Sequence, residues 1–210
     1  MTDLFTTAFL TLLVIVDPPG CAPIFASLTA GTDARHRRAM ALRSCMVAWS
    51  ILLFFALLGE ALLTHMGISL SAFRLAGGIM LFMIALDMVF ERRTERREER
   101  AEEIKGTPEA DDISVFPMAI PMIAGPGSIA SVMLLNARAD GLTESLVVLG
   151  AMTAVIVLTL VALLAAGPLM AFIGPKLEAM ITRILGVILA ALAAQFVLDG
   201  LERSLPGLAG

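Results

Sequence analysis

Six long apolar runs organise the chain, over residues 4–30, 39–64, 70–90, 113–137, 145–173 and 177–201. A helix rises about 1.5 Å per residue and the hydrocarbon core is about 30 Å thick, so roughly 20 residues span it and every run is long enough. The runs are unbroken rather than short and alternating, and open sheet edges cannot be satisfied in lipid, so helices are expected and strands are not. The predicted fold class is an all-α membrane protein of six transmembrane helices.

Polar residues collect between the third and fourth runs. In residues 91–112 the arginines Arg92, Arg93, Arg96, Arg97 and Arg100 are interleaved with glutamates. Pairs such as Arg92/Glu95 and Arg96/Glu99 lie three apart on a helical face, so this segment reads as an extension of the third helix into the cytoplasm, ended by Gly106 and Pro108. It is expected to be a solvated linker between two halves, residues 1–90 and 113–210.

Two of the runs are interrupted. Asp17-Pro18-Pro19-Gly20 falls near the middle of the first, and Ala124-Gly125-Pro126-Gly127-Ser128 in the fourth, with Pro117 and Pro121 upstream. Proline cannot donate to the helix ladder and glycine lowers the cost of non-helical backbone, so the first and fourth helices should each be broken. Laying the halves over each other aligns Pro19-Gly20 with Pro126-Gly127, and Arg74-Leu-Ala-Gly77-Gly-Ile79 with Arg183-Ile-Leu-Gly186-Val-Ile188. The two offsets differ by only two residues. With three helices per half the second copy enters from the opposite face, which predicts two inverted three-helix repeats.

Composition agrees with a lipid environment and narrows the function classes. Hydrophobic residues make up 58% of the 210 and charged residues only 16%, against roughly a quarter in soluble chains, leaving no room for a separate soluble catalytic domain. A net charge of −4, with the one basic run balanced by glutamates, gives no basis for nucleic-acid binding. Cys21 and Cys45 have no CxxC spacing and are too few for a disulfide framework. Asp3 in place of a basic leader, and no small-residue cleavage site, suggest that the first run is retained. Lysine and arginine density places the 31–38 and 91–112 loops and Lys176 inside, hence both termini outside.

The candidate chemistry sits at the breaks. Backbone freed in mid-membrane persists only where it meets protein or a wet cavity, so the two breaks are expected to face each other and form a polar site. Half-helices starting at Pro18 and Pro126 would aim positive ends at a carboxylate, while exposed carbonyls would hold an ammonium or cation; a zwitterion suits both. The substrate-binding candidates are Asp17, Pro18, Gly20, Cys21, Gly125, Gly127 and Ser128. Asp17 has two readings, a helix cap followed by proline at the first position, or a group touching substrate or proton. Cys21 and Ser128 are equivalent and either line the cavity or pack; Thr29 and Asn136, also equivalent, read as caps. Arg74 and Arg183 either snorkel or gate. Glu60, Asp87 and Asp199 read as solvated near helix ends, and Gly77, Gly78 and Gly186 as close-packing positions. His36 and His65 have no ligand spacing, no nucleotide or hydrolase motif occurs, and no metal, cofactor or enzyme activity is expected.

The run Asp17-Pro-Pro-Gly-Cys-Ala-Pro23-Ile-Phe25-Ala-Ser-Leu28-Thr29 resembles the D-P-x-G-N-x-P-x-F-x-x-L-T signature of the MarC family of bacterial inner-membrane proteins. Phe116-Pro-Met-Ala-Ile-Pro121-Met-Ile-Ala-Gly125-Pro126-Gly127-Ser-Ile129 is similar to that family's P-x-A-I-P-x-x-A-G-P-G-x-I. The resemblance spans the chain and implies an inner-membrane protein related to a neutral amino acid transporter branch. Cys21 stands where the family usually has asparagine.

The expected activity is therefore a secondary transporter of a small polar metabolite, such as a neutral amino acid, working by alternating access and driven by a proton or sodium gradient. The alternative is a non-transporting scaffold or partner subunit with a dry interface between the breaks. The lipid bilayer and a small-molecule substrate are the implied partners, and a homo-oligomer is compatible with the chain.

Overall fold

A computed structural model describes residues 1–104 and 112–204, and among these residues every regular element is helical. In chain order they are α1 (Thr2–Val16), α2 (Pro18–Leu28), α3 (Ala34–His65), α4 (Leu70–Val89), α5 (Arg92–Ile104), an irregular coil of turns over Ser114–Ile123, α6 (Pro126–Asn136), α7 (Leu142–Leu164) and α8 (Ala166–Ser204). Local chemistry sets the starts. Asp33 accepts from the Arg35 amide at 2.9 Å to cap α3, and Ser69 accepts from the Ala72 amide at 3.2 Å to cap α4.

Five stretches are long and apolar enough to cross a membrane: Thr2–Leu28, Ala34–His65, Leu70–Val89, Leu142–Leu164 and Ala179–Ser204. A sixth arises if Ser114–Ile123 and Pro126–Asn136, bent by 55°, count as one. The first span holds the middle of the bundle, with 72% of its apolar stretch buried against 28–39% for the other four. Those four turn Phe54, Leu57, Met83, Val161 and Val187 outward, as lipid-facing helices do.

Lipid provides no hydrophobic drive between helices, so close approach at small residues takes its place. Helices α4 and α8 make the most extensive contact and run antiparallel. A Cβ on Gly78 would lie 2.9 Å from the Ala193 carbonyl, one on Gly186 3.1 Å from the Ala85 carbonyl, and one on Gly200 3.0 Å from the Ser71 carbonyl. The close-packing reading of Gly78 and Gly186 is thereby met. Helices α1 and α2 rest on α7, while the Ser114–Ile123 coil and α6 rest on α3. Two apolar clusters result. One is built around Leu12, Phe25, Leu52, Met118 and Val155, the other around Ile15, Leu81, Met88, Leu134 and Leu189.

Three expectations are corrected. The charged segment does not extend the third helix: α4 stops at Val89, Glu91 turns into the left-handed region at φ 61, and α5 folds back onto α2 and α4. Gly106 and Pro108, predicted to end it, lie outside the described residues. The fifth span ends at Leu164 rather than 173, because the chain restarts as α8 at Ala166 and bends again at Gly174, φ 68, just before Pro175. The fourth run is less helical than predicted, with extended backbone at Phe116 and Ile120 and cis peptides at Phe116–Pro117 and Ile120–Pro121.

Candidate functional site

The first break follows from what its prolines cannot do. In a continuous helix the amides of residues 18, 19 and 20 would bond the carbonyls of Val14, Ile15 and Val16. Pro18 and Pro19 have no N–H to give, and Gly20 gives its own to the Asp17 side chain at 3.2 Å. Asp17 closes α1 and opens α2 in a left-handed conformation, φ 58 and ψ 65, which costs a non-glycine residue about 1–2 kcal/mol and is best tolerated by Asp and Asn. Two of the orphaned carbonyls find substitutes. The Cys21 thiol donates to Val16 at 3.4 Å, and an arginine of α5, Arg93, donates to Ile15 at 2.6 Å.

The second break repeats part of this pattern. Pro126 opens α6 and Ser128 donates to the Ile123 carbonyl at 2.8 Å, the counterpart of Cys21 on Val16. Gly125 holds the cap position, where any Cβ would overlap the Pro121 carbonyl oxygen. Having no side chain, it leaves the first turn of α6 without a side-chain cap. Gly127 lies so close to the first span and to α4 that a Cβ would meet Ile84 at 2.7 Å and Ile15 at 3.4 Å.

Helix α5 completes the site. Arg97 donates to Asp17 Oδ2 at 3.1 Å, with 11% of its side chain exposed and 1% of the aspartate's. Arg96 pairs with Asp87, and the second Arg93 nitrogen reaches Met88 Sδ at 3.0 Å. Burial, and secondarily the neighbouring Arg97 cation, pushes the Arg93 guanidinium down to about 10, still charged at neutral pH. A cavity of about 370 Å³ lies between α1, α4, α5 and the second break, with Ile84, Asp87, Arg93, Arg97, Gly127 and Ser128 in its wall.

The sequence-predicted residues divide between two sides of this arrangement. Gly125, Gly127 and Ser128 line the cavity. Asp17 caps α2 as expected but lies buried beneath Arg97, and Pro18 and Gly20 are buried in the first turn of α2. Cys21 is fully buried and does not reach the cavity, so of its two readings packing holds and it is no longer a substrate-binding candidate. Thr29 turns its hydroxyl back to the Phe25 carbonyl at 2.7 Å, whereas Asn136, expected as a cap, ties α6 to the Ala56 carbonyl of α3 at 2.8 Å.

Several charged residues also depart from expectation. Asp87 and Asp199 are mostly buried in ion pairs with Arg96 and Arg138 rather than freely solvated. Arg74 does not snorkel: it is 1% exposed, with Nε and Nη1 unpartnered. Arg183 is exposed and pairs with Glu91 at 2.5 Å. Arg93, Arg97 and Asp87 were missed as site residues. The available signal was the spacing Arg93, Arg97, Ala101, one helical face whose last member is 2% exposed, but the glutamates between them read as solvation.

At the sequence level, residues 2–205 match the family described as MarC family integral membrane protein. The chain is 37% identical to a UPF0056 membrane protein of Methanocaldococcus jannaschii, covering 96% of this chain and 97% of that one. It is 34% identical to the UPF0056 membrane protein YvbG of Bacillus subtilis over 98% of each chain. It is 31% identical to the UPF0056 inner membrane protein YhgN of Escherichia coli K12, over 99% of this chain and all of that one. No solved structure matches.

Proposed function

The chain belongs to the MarC family of integral membrane proteins, and from that premise we propose that it is a secondary transporter of a small polar metabolite, resident in the inner membrane. The observation that carries the reading is the open cavity of about 370 Å³ bounded by Ile15 of the first span, α4, the arginines of α5 and the second proline break. Polar backbone is unwound at this depth only where it is held by protein or wetted, and here it is both held and next to open space. A scaffold with prolines serving packing alone would have closed that space with side chains.

Alternating access needs two units that move against each other. The packing supports an inverted repeat, since exchanging the halves exchanges α1 on α7 for the Ser114–Ile123 coil on α3, and α2 on α7 for α6 on α3. The contacts of α4 with α8 and of α3 with α7 map onto themselves. The bonds from Cys21 to Val16 and from Ser128 to Ile123 obey the same exchange. With Arg35, Arg37, Arg38 and the arginines of α5 on the cytoplasmic side, both termini lie outside and the cavity lies toward the cytoplasm. No nucleotide motif is present, so a proton or sodium gradient supplies the energy. The test is uptake into proteoliposomes of labelled amino acids and hydroxy acids, with and without each gradient. Gradient-dependent flux of at least one solute is expected; none for any would overturn the proposal.

A further inference from the structure

Much of the cation-holding side of the first break is already taken by the protein itself. Two acceptors at the first break that a zwitterion's ammonium group could use are the Ile15 carbonyl, left without an amide by Pro19, and the Asp17 carboxylate. Arg93 sits on the first at 2.6 Å and Arg97 on the second at 3.1 Å. Asp87, the other carboxylate at the cavity, is paired with Arg96. Three guanidiniums thus meet two carboxylates, and among the described residues the hydrogen bonds of Arg93 go to a neutral carbonyl and a thioether, with Asp17 and Asp87, each bonded to another arginine, near it. A partly buried guanidinium that shares its neighbouring carboxylates with two other arginines is costly, and an anion in the adjoining cavity relieves it.

We propose that the cavity binds a small organic anion, its carboxylate held at Arg93 and the opening turn of α6, and that it discriminates against molecules carrying an ammonium group. The inference rests on the transporter reading for its purpose but not for its chemistry. Its basis is the charge surplus at an open cavity lined by Asp87, Arg93, Arg96 and Arg97. The start of α6, which has no side-chain cap and also lines the cavity, with Gly125 and Gly127 bringing backbone to the surface, adds donors of the same preference. The guanidinium supplies two parallel N–H groups suited to a carboxylate once its bond to Ile15 loosens or is shared.

The test uses glycerate, serine and serinol, similar in shape but anionic, zwitterionic and cationic, in calorimetric titrations of the intact protein in lipid nanodiscs. Glycerate is expected to bind more tightly than serine by about tenfold or more, the difference made by a charge-assisted pair against a repelled ammonium, with serinol not binding. Equal or tighter binding of serine or serinol, or no binding of any of the three, overturns the inference without recourse to a variant. Arg93→Gln should weaken glycerate by about tenfold or more, while Arg93→Lys, which keeps the charge but loses the two-pronged donor, should lose clearly less than that. Equal losses in the two overturn the assignment to Arg93. Uptake of the same compounds separates the two claims: glycerate bound but never transported sinks the transporter and leaves the site, whereas serine bound and transported in preference to glycerate does the reverse.

Discussion

Replacing Arg97 with methionine tests whether α5 is part of the membrane core or a spacer lying near it. The substitution keeps the apolar stem and deletes the guanidinium, so Asp17, 1% exposed, retains only the Gly20 amide at 3.2 Å. Breaking a buried pair from one side costs about 3–5 kcal/mol, and the 11% exposure of Arg97 puts this one at the lower end, near 3 kcal/mol. At roughly 2–4 °C per kcal/mol for a chain of this size, thermal unfolding should fall by about 6–12 °C. Asp17→Asn preserves the cap and the left-handed backbone but deprives Arg97, which can turn toward the cavity, and should cost about 1–2 kcal/mol. The double variant should be no worse than Arg97→Met, a coupling of at least about 1 kcal/mol. Glu99→Gln on the exposed face of α5 should change stability by less than about 0.5 kcal/mol. Unfolding followed by circular dichroism in mixed micelles measures all four. Additive losses, or an Arg97→Met variant as stable as the parent, would refute the docking of α5.

Gly20→Ala and Gly125→Ala should each destabilise by about 1–3 kcal/mol in the same assay, because a Cβ at these positions overlaps the Asp17 carboxylate and the Pro121 carbonyl. Gly150→Ala, in α7 with nothing within 4 Å of the added atom, should be neutral or slightly stabilising. A water-soluble methanethiosulfonate should leave wild-type Cys21 unmodified, since its thiol is fully buried; modification of Cys21 at a rate typical of exposed thiols would contradict the packing. Asp112, beyond the start of the fourth run, has its carboxyl held below the usual range, first by the Ser114 hydroxyl and in part by Arg43. A depressed carboxylate stabilises above its unfolded pKa of about 4 and loses that contribution as pH falls through the lower folded value. Ser114→Ala should therefore melt below wild type at pH 6 and converge with it in stronger acid; a difference that grows on acidification would contradict the assignment.

The breaks were legible because they follow from covalent structure: a proline has no N–H wherever it stands, and two in succession after Asp17 must orphan carbonyls. The spans were legible for a similar reason, since 20 apolar residues have one use in a bilayer. What the pattern could not reveal was who satisfies the orphans. That partner, Arg93, is 78 residues from Ile15, and its own neighbourhood of alternating arginine and glutamate has the composition of a solvated helix. The turn that brings it back depends on one residue, Glu91, adopting a left-handed backbone that its residue type does not favour. The same omission left the choice between lining and packing open for Cys21, which packs. With the Val16 carbonyl freed and Gly20 turned to Asp17, the thiol is drawn inward to donate rather than outward to the cavity.

The central claim, that the cavity beside the second break carries a solute across the membrane, is tested most directly by counterflow. Proteoliposomes loaded with unlabelled glycerate and diluted into labelled glycerate should accumulate label transiently above its external level, and vesicles bearing Arg93→Gln should not. Label entering at the same slow rate in protein-containing and protein-free liposomes, with no overshoot for glycerate or for serine, would contradict the account.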